Sequence, residues 1–271
     1  MNIYRTIITT AVALTITNGA LAGISDFYIA NSLGDIYSVD GDSLEATEVF
    51  SIQGGLAIND IIFTGNNKML ANVTDQLIEY NMSSGHERVI FDIADQYKEE
   101  NEFYFTSGFA GTSSGDIYMA VTSFTDEGLG HYGATVNPFS GQFEEEADLE
   151  PVPGLYFDLH ELGDDLYLGA DFQGSLIHLF DSDSGETLET YDASFGPVSF
   201  LEIDGQIFTM SSTGELYTFD LDTGDSEYFG EIGGYSGTLL GAANTDIFRI
   251  PSPGTLPLLG LMTISAVRRR R

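Results

Sequence analysis

Val198 to Glu231, VSFLEIDGQIFTMSSTGELYTFDLDTGDSEYFGE, decides the fold. It reads as four strands: Val198 to Ile203, Gln206 to Ser211, Glu215 to Leu221, and a polar outer strand Ser226 to Glu231. Asp204-Gly205, Thr213-Gly214 and Thr223-Gly224 separate them, and each pair offers a residue that tolerates positive φ, as short hairpins require. The preceding stretch repeats the plan with Leu155 to Leu162, Asp165 to Ala170, Ser175 to Asp181 and Thr187 to Asp192. Two consecutive four-strand units of similar length predict a repeating all-β architecture.

Strands running into a turn glycine recur outward from there. They begin at Asp35, Gln76, His131, Ser175 and Glu215 and lead to Gly41, Gly85, Gly141, Gly185 and Gly224, at intervals of 44, 56, 44 and 39 residues. A period near 40 with several strands per unit predicts a β-propeller over residues 23–250. A β-sandwich of equal strand density would not place its turns at a fixed phase. Five blades are expected. Six is the alternative, because the interval of 56 has room for another hairpin and Ala242 to Ile250 offers two strand-like pieces. The ring should close by pairing Thr238 to Ala243 with the strands that start at Phe27. Helix is nearly absent, with Ile93 to Glu102 the one candidate turn of it. The hairpins at Asp181 to Glu186 and Asp220 to Asp225 resemble those of YVTN-type and PQQ-like propeller repeats. The chain has no Trp, so the tryptophans of the quinoprotein repeats are missing and no quinone is implied.

Both ends carry address labels. Residues 1–22 hold Arg5, an apolar stretch from Ile7 to Ile16, and the small-x-small box Ala20-Leu21-Ala22, the pattern of a secretory signal peptide cleaved after Ala22. Residues 251–271 hold Pro251-Ser252-Pro253-Gly254, the apolar run Leu256 to Val267, and Arg268-Arg269-Arg270-Arg271. A run of twelve residues falls short of the roughly 20 apolar residues that span a bilayer, and the arginines favour the anionic cytoplasmic face. In order and kind these three parts resemble the PEP-CTERM tag read by exosortases, with Ser252 where that family usually carries Glu. The resemblance implies export in a Gram-negative-type bacterium. It also implies transient membrane association, an exosortase-type processing partner, and delivery to the cell surface or extracellular matrix.

Between the labels lie all 42 Asp and Glu and only four cations, Lys68, Arg88, Lys98 and Arg249, leaving −38 formal charges on residues 23–250. Such a surface repels phosphate backbones, so nucleic acid is excluded as a partner. Absence of cysteine excludes thiol catalysis, disulfides and Cys-based zinc sites. The four histidines, His86, His131, His160 and His178, lack helical metal-ligand spacing.

No catalytic, cofactor or metal residue stands out. Asp-x-Asp-x-Gly at 181–185 and 220–224 presents carboxylates suited to Ca²⁺, but lacks the third oxygen residue and the bidentate Glu of a calcium loop. Turn capping accounts for it without a metal. His160 follows Asp158 and precedes Glu161, which would orient a base, whereas His178 reads as a half-buried strand residue. The acid run Glu144 to Glu146 with Asp148 and Glu150 reads as a solvated strand edge. The expectation is therefore a non-catalytic interaction scaffold, binding an extracellular polysaccharide or another surface protein. The alternative is a hydrolase of sugars or lactones with two carboxylates, such as Asp158 and Asp171, in the propeller funnel.

Overall fold

The computed structural model describes residues 23–244, apart from 53–54, 66, 93–102, 126–127, 139–141, 144–149, 153 and 172–174. They form five antiparallel sheets. Blade 1 has the strand order β21-β1-β2-β3, with β1 Phe27–Asn31, β2 Asp35–Val39, β3 Ala46–Ser51 and β21 Leu239–Asn244. Blade 2 is β4 Ile58–Gly65, β5 Lys68–Val73, β6 Gln76–Asn81 and β7 His86–Asp92. Blade 3 is β8 Phe103–Gly111, β9 Ile117–Thr125 and β10 Gly128–Asn137; two short pieces, β11 Gln142–Phe143 and β12 Glu150–Pro151, both pair with β10 as its outer edge. Blade 4 is β13 Tyr156–Gly163, β14 Leu166–Asp171, β15 Leu176–Asp181 and β16 Thr187–Asp192. Blade 5 is β17 Pro197–Ile203, β18 Gln206–Ser211, β19 Glu215–Phe219 and β20 Ser226–Glu231.

The expected closure is present. β21 pairs antiparallel with β1, Phe27 opposite Asn244 and Ala30 opposite Gly241, so both ends of the described chain meet in one blade and no inner edge stays open. Five sheets account for the described residues, and the described part of the interval of 56 holds the long strands β9 and β10 rather than an extra hairpin. The candidate helix at Ile93 to Glu102 lies outside the described residues. No helix among the described residues is long and apolar enough to cross a membrane.

Alternating strands of a sheet that is covered on both faces bury apolar side chains on both. The core is accordingly divided into five layers, one between each pair of neighbouring blades. Phe27, Val39, Leu201 and Leu216 fill the layer between blades 5 and 1, and Ile36, Ile58, Met69 and Ile78 that between blades 1 and 2. Leu77, Phe91, Phe109 and Met119 follow, then Tyr118, Tyr156, Tyr167 and Phe180, then Leu168, Ile177, Phe200 and Phe219. The outer strands β3, β7, β16 and β20 each carry one bulged residue, respectively Val49, Ile90, Leu188 and Phe229. Such bulges twist an exposed edge away from regular pairing with another chain.

Four outer hairpins share a construction that corrects the glycine phasing. The residue at or one past the end of the third strand, Asp40, Asn81, Asp181 or Asp220, accepts at its backbone oxygen the N–H of the residue four positions on, at 2.7–2.9 Å. Those donors are Leu44, Gly85, Gly185 and Gly224, all at positive φ (56°, 69°, 65° and 74°). Gly41 lies in the same hairpin of blade 1 but three positions early, so Leu44 is the true counterpart of the other glycines. Gly41 has a separate reason to be glycine: a Cβ there would strike the backbone oxygen of Ile24. Gly141 lies outside the described residues.

Candidate functional site at the propeller axis

Each of the five inner strands carries a one-residue irregularity in its pairing at the same depth. On β4 the extra residue is Asn59, on β17 Val198 and on β21 Leu240; on β8 and β13 it falls between Thr106 and Phe109 and between Tyr156 and Leu159. A bulge re-aims the side chain next to it. Here the residues that follow are Asp60, Gly108, Asp158, Ser199 and Gly241, one per blade, and they form a ring about the axis. The glycines are there for space. A Cβ on Gly108 would lie 2.5 Å from the Cα of Asp158, and one on Gly241 would lie 2.5 Å from the Cα of Asp60.

The two acids of the ring are almost wholly buried, Asp60 at 1% exposure and Asp158 at 3%. Each fastens its own blade to the next by the same pattern. Asp60 accepts the N–H of Ile61 at Oδ1 (2.8 Å) and that of Phe109 in blade 3 at Oδ2 (3.1 Å). Asp158 accepts the N–H of Leu159 at Oδ1 (2.6 Å) and that of Phe200 in blade 5 at Oδ2 (2.6 Å), where the Ser199 hydroxyl also donates (2.6 Å). The two carboxyls also lie within hydrogen-bonding reach of each other. Removal from water raises the pKa of both, and the charge of Asp158 raises that of Asp60 further. Two carboxylates in contact in a dry site cannot both ionise. One proton is therefore held between the pair.

A cavity of about 160 Å³ adjoins the pair and is lined from all five inner strands. Its polar residues are His160, Glu161, Glu202 and Asn244. Burial pushes the His160 imidazole down to about 4, so it is neutral at pH 7, with Nε2 3.7 Å from Oε2 of Glu202. Glu161 is engaged elsewhere, its Oε1 accepting the N–H and hydroxyl of Ser113. Asn244 donates from Nδ2 to the Glu202 carbonyl at 2.6 Å.

Asp171 does not line this cavity. It closes β14 opposite Tyr156, and its charge acts on His131 and His178. The Tyr156 hydroxyl and Nδ1 of His178 are 3.0 Å apart, and Thr122 Oγ1 and Nδ1 of His131 3.2 Å. Burial lowers both imidazoles and raises the Tyr156 phenol. The funnel pairing of Asp158 with Asp171 is therefore replaced by Asp158 with Asp60. His86 is exposed at the head of β7. Asp60 escaped notice in the sequence, although Ile58-Asn-Asp60-Ile61 and Tyr156-Phe-Asp158-Leu159 both set an acid inside an apolar inner strand. That incongruity was the available signal.

In the Asp-x-Asp-x-Gly turns the first carboxylate is committed to the loop. Asp181 Oδ1 accepts the Ser184 N–H (2.8 Å) and hydroxyl (2.9 Å), which lowers its pKa. Asp220 Oδ1 accepts the N–H groups of Asp222 (2.9 Å) and Thr223 (3.0 Å). Among the described residues no group of three acids or histidines is placed to hold a metal ion. The sorting residues Pro251, Ser252, Pro253, Gly254 and Arg268 to Arg271, and the cleavage residues Ala20 and Ala22, lie outside the described residues.

Five antiparallel blades, four of them four-stranded and the third with a split outer edge, are closed by a strand from each end around an axial ring of polar and small residues and define a five-bladed β-propeller. Solved structures are similar to the chain. A protein of unknown function from Bacteroides caccae has a TM-score of 0.51 at 13% identity, over 75% of this chain and 71% of that one. The nidogen/laminin complex gives 0.47 at 13% identity, covering 83% and 85%. The WD40 β-propeller domain of Doa1 gives 0.43 at 12% identity, covering 80% and 82%. No family model and no curated relative matches the chain.

Proposed function

We propose that the chain is an exported, non-catalytic propeller that serves as a rigid interaction scaffold at the cell surface or in the extracellular matrix. The observation that carries this reading is the use made of Asp60 and Asp158. Glycoside hydrolysis by two carboxyls needs them about 5–9.5 Å apart, with the scissile bond between them. These two are in contact and spend their oxygens on backbone N–H groups of the blades they join. The axis is thus furnished as a clasp. Export and delivery rest on the sequence of residues 1–22 and 251–271, including the resemblance to an exosortase substrate.

Intact-mass analysis of protein from the producing cells tests the delivery. The expected chain begins near Gly23 and lacks Arg268 to Arg271; mature chains that still end at Arg271 would overturn exosortase processing. A panel of glycosides and lactones tests the absence of catalysis. Turnover that disappears in Asp158→Asn while the fold persists would replace the scaffold with a hydrolase.

A further inference from the structure

Blade 5 turns aromatic rings and carboxylates toward an open groove beside blade 4. Tyr217 on β19 stands opposite Tyr228 on β20 in register, so both rings project from one face of the sheet, and Glu215, two positions from Tyr217, shares that face. Phe195, in the connection between blades 4 and 5, lies over Tyr217 with ring centroids 4.0 Å apart and planes 17° from parallel. Tyr228 meets Tyr217 edge-on at 5.6 Å.

A stack of this kind seals the wedge between blades 1 and 2. There Phe50 lies on Tyr80 at 3.9 Å and leaves Tyr80 only 7% exposed. Between blades 4 and 5 the wedge stays open, as a groove of about 430 Å³ lined by Phe195 and Tyr217, and Tyr228 is 56% exposed. Asp192, Glu215 and Asp225 line the same groove. Asp192 and Asp225 are exposed, so a ligand can reach them. The described cations do not answer these acids, since Lys68 and Arg88 both pair with Glu79 in blade 2.

Chemistry rather than volume selects the occupant. Flat rings beside unbalanced carboxylates suit a cation that is itself flat. A guanidinium stacks on aromatic faces and pairs a carboxylate through two parallel N–H groups; an ammonium is a compact, strongly hydrated point charge without that fork. A neutral sugar could use the rings but would leave the negative charges unbalanced. We propose that the groove between blades 4 and 5 binds an arginine side chain of a basic protein partner, with the guanidinium beside the aromatic rings and paired to the groove carboxylates. The −38 formal charges of residues 23–250 steer such a partner toward the propeller. That a protein carries the guanidinium rests on the scaffold reading; the site itself does not.

The test titrates the full chain with acetyl-Gly-Arg-Gly-amide in about 0.15 M NaCl, where diffuse surface attraction is screened. Calorimetry and the ring resonances of Tyr217 and Tyr228 report binding, which should be saturable and should move those resonances. The same peptide with citrulline in place of arginine keeps the shape without the charge and should bind roughly tenfold more weakly. The lysine peptide should be weaker by roughly threefold or more. Both comparisons use the unaltered protein, so they do not depend on any variant's folding. Asp192→Asn should weaken the arginine peptide by roughly threefold or more, whereas Glu48→Gln, exposed on β3 of blade 1, should leave it unchanged. No saturable binding, equal affinity for arginine and citrulline or for arginine and lysine, or equal losses in the two variants would each overturn the site. Cellohexaose moving the same resonances and binding more tightly than the arginine peptide would overturn the protein partner in favour of a polysaccharide. Failure of the site would leave the delivery and non-catalytic readings standing, because those are read by mass and by turnover.

Discussion

Asp60 and Asp158 sit on inner strands of blades 2 and 4, yet their carboxyls meet at the axis in reach of one hydrogen bond. Gly108 and Gly241 leave the room for that contact, and the N–H groups of Phe109 and Phe200 fix its geometry. One proton shared by two buried acids is a term in stability with a definite sign.

Both pKa values are raised in the folded protein, Asp158 to about 6 and Asp60 beyond the ordinary range. A group whose folded value is raised binds its proton more tightly folded than unfolded. Its stabilising contribution is therefore complete below the unfolded value of about 4 and is lost as pH rises through the folded value. Stability should fall from pH 4 upward through neutrality. Asp60→Asn should flatten that slope while costing about 1–3 kcal/mol for the lost acceptor of the Phe109 N–H. Denaturant titrations of both proteins from pH 4 to 8 check this; parallel curves would contradict it.

Gly108→Ala and Gly241→Ala should be severely destabilising. The added methyl meets backbone rather than a movable side-chain end, so the ring must expand, at about 1–3 kcal/mol or more. Gly205→Ala, with open space around it but φ of +78°, should cost only about 1 kcal/mol. Midpoints of chemical unfolding rank the three.

Leu44 and Gly185 hold the same turn position, and substitution should affect them oppositely to simple expectation. Leu44→Gly relieves about 1 kcal/mol of left-handed strain, but Leu44 is only 6% exposed, within the layer between blades 5 and 1. Losing that side chain costs about 2–5 kcal/mol. Burial wins, so Leu44→Gly should lower the melting temperature. Gly185→Ala should lower it slightly, through left-handed strain at φ 65°.

Truncation after Thr238 removes β21 and with it the inner strand of blade 1. The N–H and C=O groups of β1 that face β21 are then unpaired, and Asp60 loses its neighbour Gly241. Such a protein should unfold at lower denaturant and associate through the open edge. Sedimentation of the truncated and full chains measures the second effect; a monomer as stable as the full chain would show that the closure is dispensable.

The charge makes a further demand. With −38 formal charges on residues 23–250, lowering the salt extends the Debye length from about 8 Å to about 30 Å and strengthens self-repulsion. The melting temperature should rise between millimolar and half-molar NaCl, and constancy would show that the carboxylates are too dispersed to interact.

Much of this was legible in the chain. In blade 5 the strand alternation and turn pairs place β18 and β20 at their observed bounds, and the lone strand near Thr238 closes the ring because nothing else in the repeat pattern can pair with β1. Local rules suffice there, since strand period and turn geometry are properties of neighbours in sequence. The turn phase in blade 1 misled, because glycine marks left-handed turns only where nothing else forbids a side chain. Leu44 takes the left-handed position to bury its side chain, and Gly41 is glycine to clear Ile24.

The sequence by itself determined the class of fold, the blade period, the closure and the acidic surface, all of which follow from spacing and composition. Tertiary structure decided what lies at the axis. Asp60 and Asp158 are 98 positions apart, and no local pattern brings them together. They meet because five bulges turn one residue per blade inward and two of those residues are glycine. Burial then changes their chemistry, turning two of 42 carboxyls into a proton-sharing clasp, since the energy of a charge depends on the water it has lost.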